Sequence, residues 1–571
     1  MSIRRPRPLR PWLLSFLAVA LVSGTTRALA QDEDPAEVSI GERLFLETRF
    51  AEFFAANATD VNQPLASGDP TLAATTTRGG SLPGPFAGES MNCRACHLVD
   101  EQLGQAGGGM RTYADFARRS PIPARSDGRT TAPRNSPSLV NASLARRGGV
   151  ILHLDGEFGS IEDLVRATLT GRNYGWLPNE GVAAIAHIAR VIRDDDGTGA
   201  LAQQFGGAYR DVLLGDDVVV PAELVLPAAY RIDVDRATDR ELLDAVAALI
   251  AAYLDQLVFS EDEAGFFDGS PYDAFLRVNR LPRAPRRKET ARAYTARLRK
   301  AVRQLRRPVY VNDGPFAFHD RDRRFGPLEL RGLEIFLASA PKRLRSKQLE
   351  RGGIGQCASC HLAPAFTDFG FHNTGVSQRA YDAIHGEGRF GELAFPSLEA
   401  RNADPNAWLP ASPAHPHAQE PFRAPADVAD PNRTDLGVWN MVGNPDRPDL
   451  QPRLLAVLCR QAIERKDRSV LASAHGSEYP GLPCRTAALL ESAVGRFKTP
   501  GLRDLSHSAP YMHDGALDTL EDVIGFYRVA GEQARAGTLR NGAPELRGIA
   551  LLDPDVAALA AFLRSLDEDY D

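Results

Sequence analysis

Beyond residue 30 the chain has no apolar run long enough to cross a bilayer. It also has no surplus of basic charge: 67 Lys and Arg face 73 Asp and Glu, for a formal net charge of −6. An acidic chain is a poor nucleic-acid binder, so partners of that class are not expected. Strand signals are scarce; only the valine-rich stretch 216–226 reads as a short pairing segment. Cysteine is scarce too. There are six, and four of them fall in two identical settings.

Those settings are Cys93-Arg94-Ala95-Cys96-His97 and Cys357-Ala358-Ser359-Cys360-His361. Each is a Cys-x-x-Cys-His string, the attachment signature of a c-type haem. The expectation is two covalent c-type haems, with the thiols of Cys93, Cys96, Cys357 and Cys360 bound to the vinyl groups. His97 and His361 are then the proximal iron ligands. The leftover cysteines, Cys459 and Cys484, are expected to pair as a disulfide in an oxidising compartment.

Such a compartment fits the N-terminus. Arg4, Arg5, Arg7 and Arg10 precede a short apolar stretch at 13–22, and Ala28-Leu29-Ala30 reads as a cleavage site. Residues 1–30 are therefore read as a signal peptide and the protein as periplasmic or otherwise exported, with no stable membrane span afterwards. Its removal takes five arginines and no acid, which moves the formal charge from −6 to −11.

The chain looks duplicated. Ile40-Gly41-Glu42-Arg43-Leu44-Phe45-Leu46 precedes the first haem string and Leu330-Arg331-Gly332-Leu333-Glu334-Ile335-Phe336 the second. Strong helical periodicity closes each half, at 241–259 and 554–566, and further helices are expected at 160–169, 182–193 and 201–214. The expected fold class is mainly α: two cytochrome c-like helical haem domains with long insertions. The boundaries are 31–282 for the N-terminal domain, 283–325 for a basic linker and 326–571 for the C-terminal domain. The basic stretch 283–307 reads first as a solvated linker and second as a docking face. Region 395–448, rich in proline and asparagine, reads as a long loop.

Several strings around the haem sites form a family pattern. Ala132-Pro133-Arg134-Asn135-Ser136-Pro137 follows the first haem, and Phe366-Thr367-Asp368 with Phe371-His372-Asn373 follows the second. Phe497-Lys498-Thr499-Pro500-Gly501-Leu502-Arg503 leads to Ala509-Pro510-Tyr511-Met512-His513-Asp514-Gly515 and then to the stretch 519–527. Together they resemble the bacterial di-haem cytochrome c peroxidase superfamily, which includes MauG. The likeness covers both haem halves but not the insertions at about 177–240, 283–325 and 395–490.

The resemblance implies an oxidoreductase in which peroxide or oxygen reacts at the N-terminal haem and the C-terminal haem stores or relays electrons. It implies a calcium ion held by the Asn135 side chain and by backbone oxygens of Ser508 and Pro510. It puts Tyr527 where peroxidases of the group carry an axial methionine and the MauG branch a tyrosine; Met512 and Met441 are the competing ligands. No histidine lies between His97 and Arg134, so the first haem is expected to be five-coordinate, with Met110 and Tyr113 the remaining candidates in that loop. Leu154 stands where the family often has a relay tryptophan. Leu164 and then Arg172-Asn173-Tyr174-Gly175-Trp176 occupy the distal stretch, so no carboxylate stands at the acid–base position; Glu157, Glu162 and Asp163 are the nearest and read as surface carboxylates on an amphipathic helix. The expected partner is an electron donor protein, a small cytochrome or a cupredoxin, or else a protein substrate. Oxidation of a protein partner, oxygenation of an organic substrate and non-catalytic electron carriage are the alternatives to peroxide reduction.

Overall fold

The computed structural model describes residues 34–73, 76–77, 80–81, 90–97, 120–144, 151–317, 319–341, 344–471 and 482–568. The expected signal peptide, and Met110 and Tyr113, lie outside the described residues. Helices dominate, and among the described residues the strands form only two-stranded pairs, such as Phe371–His372 with Phe497–Lys498. Among the described residues no helix is long and apolar enough to cross a membrane.

The duplication is visible in two helix crossings. The helix Ala36–Phe45 packs on Asp239–Gln256, and the helix Pro327–Leu337 packs on Asp553–Arg564. In each crossing one glycine makes the close approach. A Cβ at Gly41 would overlap the Leu249 carbonyl oxygen, and one at Gly332 would overlap that of Ala558. Both glycines sit four residues before a fully buried phenylalanine, Phe45 or Phe336. The repeated sequence pattern therefore encodes a repeated crossing, in which a missing side chain lets two helix backbones touch.

Each crossing heads its own core. The first runs from Ala36 to Leu257 and includes Leu44, Phe45, Tyr174, Ile188, Val246 and Ile250. The second includes Tyr272, Phe275, Tyr294, Leu298, Phe336 and Phe562. Core membership thus changes between Leu257 and Tyr272, ahead of the boundary expected at 282. The basic stretch contains the helix Ala291–Gln304, whose Tyr294, Thr295, Leu298 and Val302 are buried. It is an amphipathic helix on the second core, with its arginines outward, rather than a solvated linker.

The insertion after 395 builds a third core around Trp439, Met441, Leu454 and Leu458, joined by Ile151 and Phe371. It is a packed region of short helices and turns, not a loop. Cys459 and Cys484 form the expected disulfide inside it, closing a separation of 25 residues. Loop-closure entropy for a span of that size is worth about 3 kcal/mol.

Two local expectations fail for definite reasons. The helix expected at 201–214 is two short helices, Ala200–Gln204 and Tyr209–Leu214. Gly206 and Gly207 between them take φ of 88° and 98°, outside the helical region. The stretch 216–226 pairs with nothing as a strand. Pro221 and Pro227 each open a single 3-10 turn, Ala222–Leu224 and Ala228–Tyr230. A proline ring removes the N–H that a ladder needs.

Candidate haem sites

Both Cys-x-x-Cys-His strings adopt the same backbone. Each is a 3-10 turn, Cys93–Ala95 or Cys357–Ser359. The His97 N–H donates to the Cys93 carbonyl at 2.9 Å, and the His361 N–H donates to that of Cys357 at the same distance. This bond folds each string into one turn, so two thiols and an imidazole come from a single short segment.

The two imidazoles are oriented alike. His97 Nδ1 lies 3.0 Å from the Pro137 carbonyl, and His361 Nδ1 lies 2.9 Å from that of Phe366. A ring N–H on Nδ1 leaves Nε2 as the lone-pair donor, the arrangement that metal-ligating histidines use. The carbonyls come from Ser136-Pro137 and Ala365-Phe366, which explains why those strings follow the haem motifs. Burial lowers the His97 pKa to about 4, and burial likewise lowers that of His361. Both rings are neutral, as iron ligation requires. Burial pushes the thiols the other way, Cys93 to about 11 and Cys96 and Cys357 to about 12. Half-buried thiols, a neutral imidazole held through Nδ1, and apolar neighbours fit a covalent haem at each string.

Beside the first string lies a cavity of about 100 Å³ lined by Phe45, Cys93, Cys96, His97, Leu164, Thr168, Asn173 and Tyr174, among others. The Tyr174 hydroxyl lies 3.1 Å from Cys93 Sγ. His153 lines the same cavity. Neither His153 nor Tyr174 stood out in the sequence as a site residue. His153 was legible only as the residue before Leu154.

The duplication extends across these walls. Leu152 bridges Phe158, and Tyr511 bridges Leu517. His153 and Met512 open the two turns with φ of 60° and 72°, and Gly156 and Gly515 close them with φ of 77° and 63°. Ser160 and Thr519 then cap the helices Ile161–Leu169 and Leu520–Ala536, each hydroxyl accepting from a backbone N–H three residues on. Eight residues past each cap stand Thr168 and Tyr527. Thr168 lines the first cavity. Tyr527 packs on the second core together with Cys357 and Ala358. Burial raises its phenol pKa, with further contributions from the nearby Cys360 and Cys357. Met441, a competing candidate, is 1% exposed within the third core, beside Trp439. Met512 sits in the turn, seven residues before the helix cap.

Around the second string, His372 lies 3.3 Å from Cys360 Sγ and 2.8 Å from Asp368 Oδ2. The Arg465 guanidinium donates to its Nδ1 at 2.6 Å.

The two halves meet through charge. Arg134 forks onto Asp435 at 2.6 and 2.8 Å, and its third nitrogen lies 2.6 Å from Asp155. Arg423, also from the insertion, reaches Asp155 at 3.3 Å and pairs with Glu157. Arg447 donates to Glu157 at 2.7 Å. Three arginines thus match three buried carboxylates. Burial opposes ionisation of Glu157, but Arg423, His153 and Arg447 hold its carboxyl well below the usual range. Glu157 is therefore buried and charged, not a surface carboxylate, while Asp163 is half exposed and salt-bridged to Arg166. Leu154 lies at this junction, where its carbonyl accepts the Lys498 N–H at 2.8 Å.

Asn135 joins the halves as well. Its side-chain nitrogen donates to the Pro510 carbonyl at 2.6 Å, and its backbone N–H donates to that of His513 at 2.8 Å. Its Oδ1 is buried with no hydrogen-bond partner. Exchanging the amide's O and N would set two oxygens facing each other across a gap. That fits a hard cation such as calcium, which takes carbonyl oxygens.

No family model matches the chain. Curated relatives match over limited stretches. The chain is 30% identical over 137 residues to the cytochrome-c peroxidase IdrP1 of Denitromonas iodatirespirans, covering 24% of this chain and 34% of that protein. It is 39% identical over 70 residues to the methylamine utilization protein MauG of Methylorubrum extorquens, covering 12% and 18%. The chain therefore spans about a third or less of the length of these relatives. Among solved structures, the diheme peroxidase BthA of Burkholderia thailandensis aligns over 94% of this chain and 86% of its own, with 18% identity and a TM-score of 0.41. In its paired Cys-x-x-Cys-His strings and in these sequence relatives, the chain is similar to the di-haem cytochrome c peroxidase/MauG superfamily.

Proposed function

We propose that the protein is an exported di-haem c-type oxidoreductase that reduces hydrogen peroxide at the N-terminal site, with electrons entering through the C-terminal site. The observation that carries this reading is the pair Thr168 and Tyr527. They occupy equivalent positions in the two halves, and Thr168 lines the cavity that holds His97. A threonine hydroxyl is too short to span a haem pocket to the iron, whereas a tyrosine phenol has that reach. The first haem would then have an open face for a small oxidant and the second a closed one. When bound, the haems supply the redox chemistry that breaks the O–O bond.

The residues have separable tasks. Cys93 and Cys96, and Cys357 and Cys360, fix the haems covalently. Pro137 and Phe366 hold His97 and His361 in the tautomer that ligates iron. Tyr527 would bind the iron of the C-terminal haem, where a phenolate would favour the oxidised state. Asn135, Ser508 and Pro510 would hold a calcium ion, through the Asn135 side chain and the two backbone oxygens. Residues 1–30 direct export, and a small cytochrome or cupredoxin supplies electrons.

Three measurements test this. Mass spectrometry of protein exported from a c-type maturation host should give the chain from Gln31 plus two haems, and Cys93→Ala/Cys96→Ala should retain one. Stopped-flow mixing with hydrogen peroxide should change the Soret band of a high-spin ferric haem within milliseconds to seconds. A resting protein with both haems low-spin and inert to peroxide would instead be an electron carrier. Chelation should shift the haem spectra and calcium should restore them. Metal analysis without calcium, together with chelator-insensitive spectra, would remove the Asn135 site.

A further inference from the structure

We propose that His153 moves the peroxide proton at the N-terminal haem, and that Glu157, Arg423 and Arg447 are the residues that position it. This rests on the reading of that haem as the peroxide site.

The geometry is specific. His153 lines the cavity that holds His97, Thr168 and Asn173. Its Nδ1 lies 3.1 Å from Glu157 Oε2, and its ring meets Phe158 edge-on at 4.9 Å. Glu157 is 6% exposed; Arg447 donates to its other oxygen, Oε1, at 2.7 Å, and Arg423 donates to Oε2 beside His153. A carboxylate fixed by two arginines accepts the Nδ1 hydrogen, so the imidazole carries its free lone pair on Nε2. The charged groups around the ring are thus Glu157, Arg423 and Arg447, with Asp155 beside Arg423 and His97 lining the same cavity.

His153 also holds φ of 60°, a left-handed conformation that costs energy for any residue with a Cβ. The repeated turn imposes this conformation in both halves, since Met512 holds φ of 72°. The equivalent position in the other half is Met512, so the fold requires no histidine there. Both arginines come from the insertion at 395–490, which gives that insertion a role: it holds Glu157, the hydrogen-bond partner of a cavity-lining residue in the other half.

The balance is simple. Overall, hydrogen peroxide, two electrons and two protons give two water molecules. His153 Nε2 takes a proton from one peroxide oxygen and returns it to the other as the O–O bond breaks, ending unchanged. The first water leaves with both original peroxide protons. The electrons come from the donor protein, and the two further protons come from solvent. A positioned acid–base group of this kind contributes about 10²–10⁴-fold.

The test uses the di-haem protein and four variants. His153→Phe and His153→Gln should slow the peroxide reaction by about 10²–10⁴-fold. His153→Gly relieves the positive φ, so it should fold, lose the rate to the same degree and recover it with added imidazole. An independent readout is the C–O stretch of the ferrous carbonyl at the N-terminal haem. It should move to higher frequency in His153→Phe, because a polar group near the bound ligand is removed. Glu157→Gln should give an intermediate rate loss. An unchanged C–O stretch, or peroxide rates within twofold of wild type, would overturn the proposal. So would a wild-type low-spin N-terminal haem that turns high-spin in His153→Phe, since His153 would then be an iron ligand. If wild type itself fails to react with peroxide, the functional reading fails first. Failure in the variants alone leaves that reading standing and removes only His153.

Discussion

Asp435→Ala is expected to lower the free energy of unfolding by about 3 kcal/mol, near the lower end of what breaking a buried ion pair costs. Asp435 is 6% exposed and Arg134 8%, and they share two hydrogen bonds. The arginine left behind would keep Asp155 at 2.6 Å, which is why the loss is not larger. The pair joins residues 301 apart in sequence, so the change loosens the insertion from the first half. Urea denaturation measures it. Replacing both partners by apolar residues should cost less than the sum of the two single changes, because no uncompensated buried charge remains.

The same pair sets an acid limb. Burial works to raise the Asp435 pKa, but the charge and hydrogen bonds of Arg134 lower it overall. A carboxyl with a depressed folded-state pKa adds stability above its unfolded pKa, about 3.9, and loses it as pH falls through the lower folded value. Wild type should therefore lose stability more steeply than Asp435→Ala on acidification below about pH 4. Equal slopes would mean that the pair is not ionised in the folded protein.

Tyr527→Met is expected to raise the midpoint potential of one haem by a sizeable share of the ~0.8 V that axial ligation spans. A phenolate stabilises ferric iron by charge, whereas a neutral thioether does not. Tyr527→Phe should alter the ferric spectrum of the same haem and leave the other unchanged. The potential comes from spectroelectrochemical titration of the di-haem protein. If the spectrum is unaffected by Tyr527→Phe, Met512 is the next ligand to test, since Met441 is buried against Trp439 in a separate core.

The sequence alone determined whatever is local. A Cys-x-x-Cys-His string contains all three cofactor-binding side chains within one turn, so its chemistry needs no tertiary partner. The repeated glycine before each string is likewise readable, because it marks one helix crossing made twice. The pairing of Cys459 with Cys484 followed from there being no other free partner. Failures were local as well: Gly206-Gly207 and Pro221 outweighed apolar periodicity because backbone freedom and a missing N–H act residue by residue.

Only the tertiary structure decided what depends on long-range pairing. Glu157 reads as a surface carboxylate on its own segment. It becomes a buried anion because Arg423 and Arg447, some 270 residues and more away, fold onto it. The region 395–448 reads as a loop from its prolines, yet it packs around Trp439 because Ile151 and Phe371 close its core. The contrast between Thr168 and Tyr527 emerges only when two turns with little shared sequence superpose in register. Charge pairing and packing are set by where the chain returns to itself, and no window of sequence contains that information.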